Sequence, residues 1–325
     1  MSILRTRDFW SIVLAGGSGS RLRGFTRRLY GEDRPKQYCS FIGRRSMLQH
    51  TLDRALMLVN ENRLLTVVSQ DHLRFVREQI PPQFDDRVII QPYCRETAPA
   101  IMLPLSKIHH RDPESVAVIY PSDHFILDEW KFISDVKRAA EYIEHHPEKI
   151  ILLGVHPDRE DHGYGWIEKG ERVNDRMFCV KRFVEKPLRS EEDKCMSGRF
   201  FWNTFVIIAR TGTLIERIKE MIPKAYDAFE IYRCSLGTLV EQQSIAAVYE
   251  RLQTVNFSTA VLERISEELL VMDISNVGWS DWGEEYRIRE DVARYDLRLK
   301  VPEAEKGTVP TDEKDAEKFG YYLIE

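Results

Sequence analysis

Short apolar runs alternate with amphipathic stretches through the first 160 residues of the chain. Residues 11–15, 64–69, 87–91, 115–120 and 150–155 are mostly rich in Val and Ile and show little polar alternation, the pattern of strands covered on both faces. Between them, 46–59 places Leu48, Leu52, Ala55, Leu56 and Val59 on one helical face, with Ser46 where an N-cap belongs. Residues 71–80 and 128–145 repeat that pattern, the second through Trp130, Ile133, Val136, Ala140 and Ile143. Such alternation predicts an α/β fold with a Rossmann-like, mostly parallel mixed sheet flanked by helices.

Beyond residue 160 the texture changes. Residues 164–169, 178–184 and 201–208 read as strands, 213 to about 252 as helices, and 271–274 as a late strand. No internal repeat and no flexible linker divides the chain. Length alone would allow about two domains, but candidate site residues run from Leu14 to Asp281, so residues 1–295 are expected to form one domain, with a first part to about 160 and a second over 161–295. Residues 296–325 read as a charged tail: 300–318 holds ten charged residues in nineteen plus two prolines, and 319–323 could dock back.

Composition narrows the classes. With 47 Lys+Arg against 52 Asp+Glu in 325 residues, the net charge is −5, which argues against a broad basic surface for nucleic acid. No apolar run reaches the length of a membrane helix, and residues 1–7 lead into a strand without the core of a signal peptide. Cys39, Cys94, Cys179, Cys195 and Cys234 are scattered with no close pair, so free thiols in a cytoplasmic setting are expected rather than disulfides or zinc.

The first strand ends in Gly16-Gly17-Ser18-Gly19-Ser20-Arg21. Glycines there permit a tight turn whose N–H groups approach a ligand, which suits phosphate oxygens, although such turns also occur without a ligand. A Walker A loop is ruled out because Gly24 precedes Phe25, and a dinucleotide fingerprint fails at Leu22. From Arg21 to Lys36 there are six cations against Glu32 and Asp33 only. That local excess suggests a small polyanion such as a triphosphate, the alternative being a solvated basic loop. Arg21 and Lys36 stand out.

Two acids complete the inventory. Asp123 follows the strand at 115–120, so parallel pairing would put it on the same sheet edge as the glycine turn. A carboxylate there could hold Mg²⁺ against phosphates, or could simply cap a turn; His124 is read as packed, without chemistry. Asp281, inside Gly278-Trp279-Ser280-Asp281-Trp282-Gly283, sits in a tight, partly buried turn where an acid needs a cation. The two could share one Mg²⁺.

With these residues in hand, the chain resembles the sugar-phosphate nucleotidyltransferases, and among them the mannose-1-phosphate guanylyltransferases. The resemblance covers roughly residues 10–290 and rests on ordered motifs: LAGGSGSRL from Leu14, RPKQY from Arg34, RETAPAI from Arg95, YPSDHFI from Tyr120, HGYGWIEKG from His162, FVEKP from Phe183, FWNT from Phe201 and GWSDWG from Gly278. It implies the nucleotide-diphospho-sugar transferase fold. It also implies that Leu14, Ala15, Gly16, Gly17, Ser18 and Gly19, with Gln91, Arg95, Glu96, Thr97 and Ser122, embrace the nucleotide. Arg21 and Lys36 would neutralise the reacting phosphates, and Asp123 with Asp281 would hold Mg²⁺. Gly165, Glu185, Lys186 and Asn203 would meet the sugar phosphate. The expected reaction joins GTP and mannose 1-phosphate into GDP-mannose and pyrophosphate, without nucleic acid or membrane and with a homodimer as a candidate assembly.

The chain also departs from that pattern. Gly31–Arg34 looks inserted, Phe205 replaces a glycine after Trp202-Asn203-Thr204, and Ser258 stands where an acid is common. Gln91 replaces a glutamate in the base-reading segment, and its donor and acceptor suit guanine, uracil or thymine alike. Transfer from UTP or dTTP, or to another hexose phosphate, therefore stays open. So does a non-catalytic sensor on the same scaffold; a dinucleotide oxidoreductase is the remote alternative.

Overall fold

The computed structural model describes residues 9–159, 161, 163–187 and 198–300. The expected tail beyond Lys300, the docking segment at 319–323, residues 1–7, His162 and Cys195 lie outside them. The strands are β1 (Phe9–Ala15), β2 (Leu64–Ser69), β3 (Val88–Gln91), β4 (Val116–Pro121), β5 (Phe125–Ile126), β6 (Ile150–Val155), β7 (Gly165–Arg172), β8 (Met177–Glu185), β9 (Phe200–Arg210), β10 (Leu269–Asp273) and β11 (Trp279–Ser280). The helices are α1 (Arg23–Tyr30), α2 (Met47–Leu56), α3 (Leu73–Gln79), α4 (Thr97–Arg111), α5 (Glu129–His145), α6 (Thr211–Met221), α7 (Pro223–Ser235), α8 (Glu241–Arg251) and α9 (Glu285–Arg294).

One nine-stranded sheet carries the molecule, in the order β3-β2-β1-β4-β9-β6-β10-β8-β7. Its first half is parallel: β1 pairs with β2 and β4 in the same direction, and β2 with β3. Beyond β4 the pairing is mixed, because β9 runs antiparallel to both β4 and β6 while β10 runs parallel to β6. β7 also pairs with β9, so β9, β6, β10, β8 and β7 close into a ring instead of ending in an open edge.

The alternation along β1 explains the layers. Phe9, Val13 and Ala15 enter one apolar core with residues of α2, α3 and α5; Trp10 and Ile12 enter another with α4, α6, α7 and α8. Both faces are dry, hence the strands' unbroken apolar character. A smaller third cluster of Leu22, Phe25, Phe41, Phe125 and Trp282 lies beneath the glycine turn.

Local signals set several boundaries. Ser46 caps α2 in a capping box with Gln49, and Asp128 caps α5 by accepting the Lys131 N–H at 2.9 Å. The helical stretch expected from 213 to about 252 is three helices, with Pro223 opening α7. The cation-rich stretch is not a loop: 23–30 is helix α1, closed by Gly31 in the left-handed conformation at φ 71°. The Gly31–Arg34 segment then folds back, Asp33 onto Arg27 at 2.6 Å and Arg34 onto Glu32 and Glu78 at 2.9 and 3.0 Å. Cys39, Cys94, Cys179 and Cys234 are free thiols. No described helix is long and apolar enough to cross a membrane.

Candidate functional site

The parallel register of β1 and β4 pairs Leu14 with Pro121, so the glycine turn and Asp123 leave the sheet at the same edge. The Ser122 N–H donates to the Leu14 carbonyl at 3.1 Å and ties the two exits together. Gly16 is required by close approach, since a Cβ there would stand 2.0 Å from Gln91 Nε2. Gln91 is only 1% exposed, and its Oε1 accepts a hydrogen bond from Tyr249 at 3.1 Å. Gly17 and Ser18 follow in the turn, and Gly19 caps the short 3-10 turn Ser20–Leu22 that carries Arg21.

The Arg34-Pro35-Lys36-Gln37-Tyr38 segment packs across this turn. Gln37 Nε2 donates to the carbonyls of Ala15 at 2.9 Å and Gly17 at 2.8 Å, and the Tyr38 hydroxyl also donates to Ala15 O at 3.1 Å. Neither Gln37 nor Tyr38 is distinguishable as functional in the sequence, beyond lying in the same motif as Lys36. Lys36 is 4% exposed; its ammonium lies 3.1 Å from Asp123 Oδ2 and donates to the Asp281 carbonyl.

Lys36 thus links the Asp123 carboxylate to the Asp281 main-chain carbonyl, although the two residues belong to loops far apart in sequence. Asp281 Oδ1 accepts from the Tyr164 hydroxyl at 2.8 Å, the Arg287 guanidinium at 2.6 Å and the Gly283 N–H at 3.0 Å, while Oδ2 lies 3.6 Å from Arg21. Burial pushes the Asp281 carboxyl up, but Lys36 and Arg287 outweigh it and hold the group well below the usual carboxylate range. The same balance of burial against Lys36 leaves Asp123 lowered. Arg287, buried on α9, also reaches Asp161 at 2.5 Å, and Asp161 accepts the Gly163 N–H at 2.8 Å. Tyr164 lies within the motif from His162 but carries no mark of its own there, and nothing in the local sequence marks Asp161 or Arg287.

A second cluster lies on the ring of strands. Gly165 pairs with Glu185 between β7 and β8, and a Cβ on Gly165 would stand 2.8 Å from Glu185 Oε2. Asn203 on β9 pairs with Gly154, and its Cβ lies 3.4 Å from the same point beside Gly165. Burial raises the Glu185 carboxyl, opposed by Lys186, whose ammonium is 3.6 Å away, and by a hydrogen bond from Ser258. The register between β6 and β9 slips so that three residues, 204–206, oppose Leu153, and Phe205 takes φ 56° in this bulge. Its N–H donates to Asn203 Oδ1 at 3.0 Å, leaving the Asn203 amide as a donor.

Gln91, Arg95, Glu96 and Thr97 run from the end of β3 into α4. The Arg95 guanidinium stacks over Tyr93 at 5.1 Å, Glu96 is exposed with φ 66°, and Thr97 Oγ1 accepts the Phe257 N–H at 2.7 Å. This segment is therefore braced by the chain that follows α8. Of the six early cations, Arg27, Arg28 and Arg34 have acid partners of their own, while Arg21 and Lys36 face the two aspartates.

The donor set fits Mg²⁺. Asp123 and Asp281 supply carboxylate oxygens of the kind a hard cation takes, Asp123 beside Lys36 and Asp281 beside Arg21, and no described cluster of three or more His, Cys, Asp or Glu could hold a metal alone. A hard cation there would take its remaining oxygens from phosphates and water.

The profile of the nucleotidyl transferase family matches residues 10–292. Mannose-1-phosphate guanylyltransferase RfbM of Salmonella typhimurium (strain LT2) is 34% identical over 231 residues, 69% of this chain and 46% of that protein. Mannose-1-phosphate guanylyltransferase of Escherichia coli (strain K12) is 32% identical over 289 residues, 84% of this chain and 58% of that protein. The chain spans about half the length of the curated relatives it matches. Among solved structures, one described as mannose-1-phosphate geranyltransferase from Thermus thermophilus superposes with a TM-score of 0.71 at 26% identity, covering 85% of this chain and 76% of that one. UDP-glucose pyrophosphorylase complexed with UDP-glucose, at 14% identity and a TM-score of 0.53 over 89% of this chain and 98% of that one, shares the fold.

Proposed function

We propose, starting from the fact that this chain belongs to the nucleotidyl transferase family, that it joins a nucleoside triphosphate to a sugar 1-phosphate, GTP and mannose 1-phosphate being the favoured pair. One observation carries the reading: Lys36 is held between Asp123 and Asp281 at the mouth of the glycine turn. The names of the relatives support the choice of substrates.

In the reaction a sugar-phosphate oxygen attacks the α-phosphorus in line, a new P–O bond forms, and the bond to pyrophosphate breaks. The nucleophile is already an anion near neutral pH, so no base is required. The protein's task is to bring two anions together and to neutralise charge on the leaving group. Lys36 and Arg21 supply fixed positive charge, and the N–H groups of the 16–19 turn receive phosphate oxygens. Asp123 and Asp281 would hold Mg²⁺, which when bound neutralises phosphate charge. Glu185, with carboxylate oxygens only, accepts from a sugar hydroxyl; Asn203, its oxygen taken by Phe205, donates to one. Lys186 meets the sugar's phosphate.

Gln91 favours a second reading of the base. Its oxygen is engaged by Tyr249, so it offers donors to a base carbonyl rather than an acceptor to guanine N1–H and N2–H. UTP and dTTP therefore belong in the test. Pyrophosphate release should be followed across four nucleoside triphosphates and a panel of hexose 1-phosphates, with and without Mg²⁺. Mg²⁺-dependent release that is greatest with GTP and mannose 1-phosphate is expected. Preference for UTP or dTTP would overturn the guanylyl assignment, and no release with any pair would leave a sensor.

A further inference from the structure

We propose that His124 and Trp279 are positioning residues that yoke Asp123 to Asp281, fixing the spacing of the two carboxylates for a shared divalent cation. This rests on the nucleotidyl-transfer reading above.

The two aspartates sit on loops that meet through a minimal ribbon. β5 and β11 pair as Trp279 with Ile126 and Ser280 with Phe125. A two-residue pairing holds loops weakly by itself. Side chains supply what the ribbon lacks. Trp279 Nε1 donates to His124 Nδ1 at 3.2 Å, and the rings meet edge to face with centroids 5.3 Å apart. The indole has only a donor to give, so Nδ1 must accept and the imidazole proton must reside on Nε2. Nε2 faces Asp123 Oδ1 at 3.9 Å. The His124 carbonyl accepts from Arg54 at 3.1 Å, which fixes the backbone from which the ring projects.

Trp279 also contacts Tyr164, with ring centroids 5.5 Å apart, and Tyr164 donates to Asp281 Oδ1 at 2.8 Å. A continuous route of side chains therefore runs from Asp123 through His124, Trp279 and Tyr164 to Asp281. Lys36 joins the same two loops by an independent route. Lys36 is needed for phosphate, so the spacing of the acids has to be held by other contacts during the reaction. The His124–Trp279 pair keeps their geometry when Lys36 turns to substrate. Groups that orient metal-binding carboxylates typically change metal affinity by about ten- to a hundredfold when removed.

The test uses Mn²⁺ as the cation and reads the concentration giving half of the GTP-dependent thermal stabilisation. Trp279→Phe keeps an aromatic ring, though a smaller one, and removes the donor; His124→Phe removes both nitrogens; His124→Gln can still accept and donate through one amide. Trp279→Phe and His124→Phe are expected to raise the Mn²⁺ midpoint about tenfold. The double variant should be no worse than the poorer single, and His124→Gln should restore most of the loss. The KM for the sugar 1-phosphate should stay within about twofold, which separates a metal-site effect from general damage. An unmoved Mn²⁺ midpoint, with melting lowered equally in the presence and absence of metal, reduces the pair to packing and overturns the proposal. If His124→Phe does not fold, Trp279→Phe and His124→Gln decide alone. A wild-type protein with neither Mn²⁺ response nor pyrophosphate release overturns the function reading as well, whereas a responsive wild type with unchanged variants overturns the yoke only.

Discussion

Gly16 is a glycine because Gln91 lies where its side chain would be, 2.0 Å from the position of a Cβ. Gly16→Ala must displace a fully buried amide that is bonded to Tyr249, and with it the turn proposed to bind phosphate. A misplacement of about 1 Å near the reacting atoms costs about a hundredfold in rate. Steady-state kinetics on Gly16→Ala should show at least a tenfold fall in kcat/KM with far-UV circular dichroism unchanged. His50 makes a pH prediction. Burial, helped by Arg54 and Arg45, lowers its pKa to about 3, against about 6.5 in an unfolded chain. Between those values the unfolded chain binds a proton that the native state does not, so stability should rise with pH from about 3 to 6.5 and level off above. Melting temperatures across that range should show a shallower slope for His50→Gln than for the wild type. Single residues are legible where chemistry is concentrated: the structure brings together Lys36, Arg21, Asp123 and Asp281, and likewise Gly165, Glu185 and Asn203. Arg287 and Asp161 are not legible, because their significance is a mutual contact across the fold and neither has a local pattern.

At the scale of elements, periodicity locates strands and helices well where one force dominates. The apolar runs of β2 and β6 give those strands their observed limits, and the position of Ser46 marks it as the cap of α2. Ser46 accepts the Gln49 N–H and its hydroxyl also reaches Gln79 at 2.6 Å, so Ser46→Ala should cost about 1 kcal/mol in urea unfolding and leave activity unchanged. The elements that periodicity misses share a cause. α4 contains Pro99 and Pro104, which disguise it, yet its apolar residues bury it against β1 and β2. α1 has a cation-rich sequence, and its helical state depends on Phe25 entering the cluster beneath the turn and on Asp33 and Glu285 answering its arginines. Tertiary burial overrides local propensity in both.

For the whole molecule, Arg287 is the most exacting test, since it joins α9, the loop at Asp161 and the loop at Asp281. Arg287→Met fills similar space but leaves two buried carboxylates without their guanidinium. Unfolding in urea should show a loss of about 3 kcal/mol, the scale of a broken buried ion pair. A loss below about 0.5 kcal/mol would mean that the acids find other partners. The sequence by itself determined the alternating strands and helices, the glycine turn at the first of them, and the set of cations and carboxylates, because each follows from local sterics, periodicity or charge. Only the tertiary structure decided that β7 returns to β9 and closes the second half into a ring, that Phe205 adopts a left-handed bulge beside Asn203, and that Asp123 and Asp281 converge on Lys36. These depend on contacts between segments far apart in the chain, whose free energy comes from burial and pairing and leaves no local period to read.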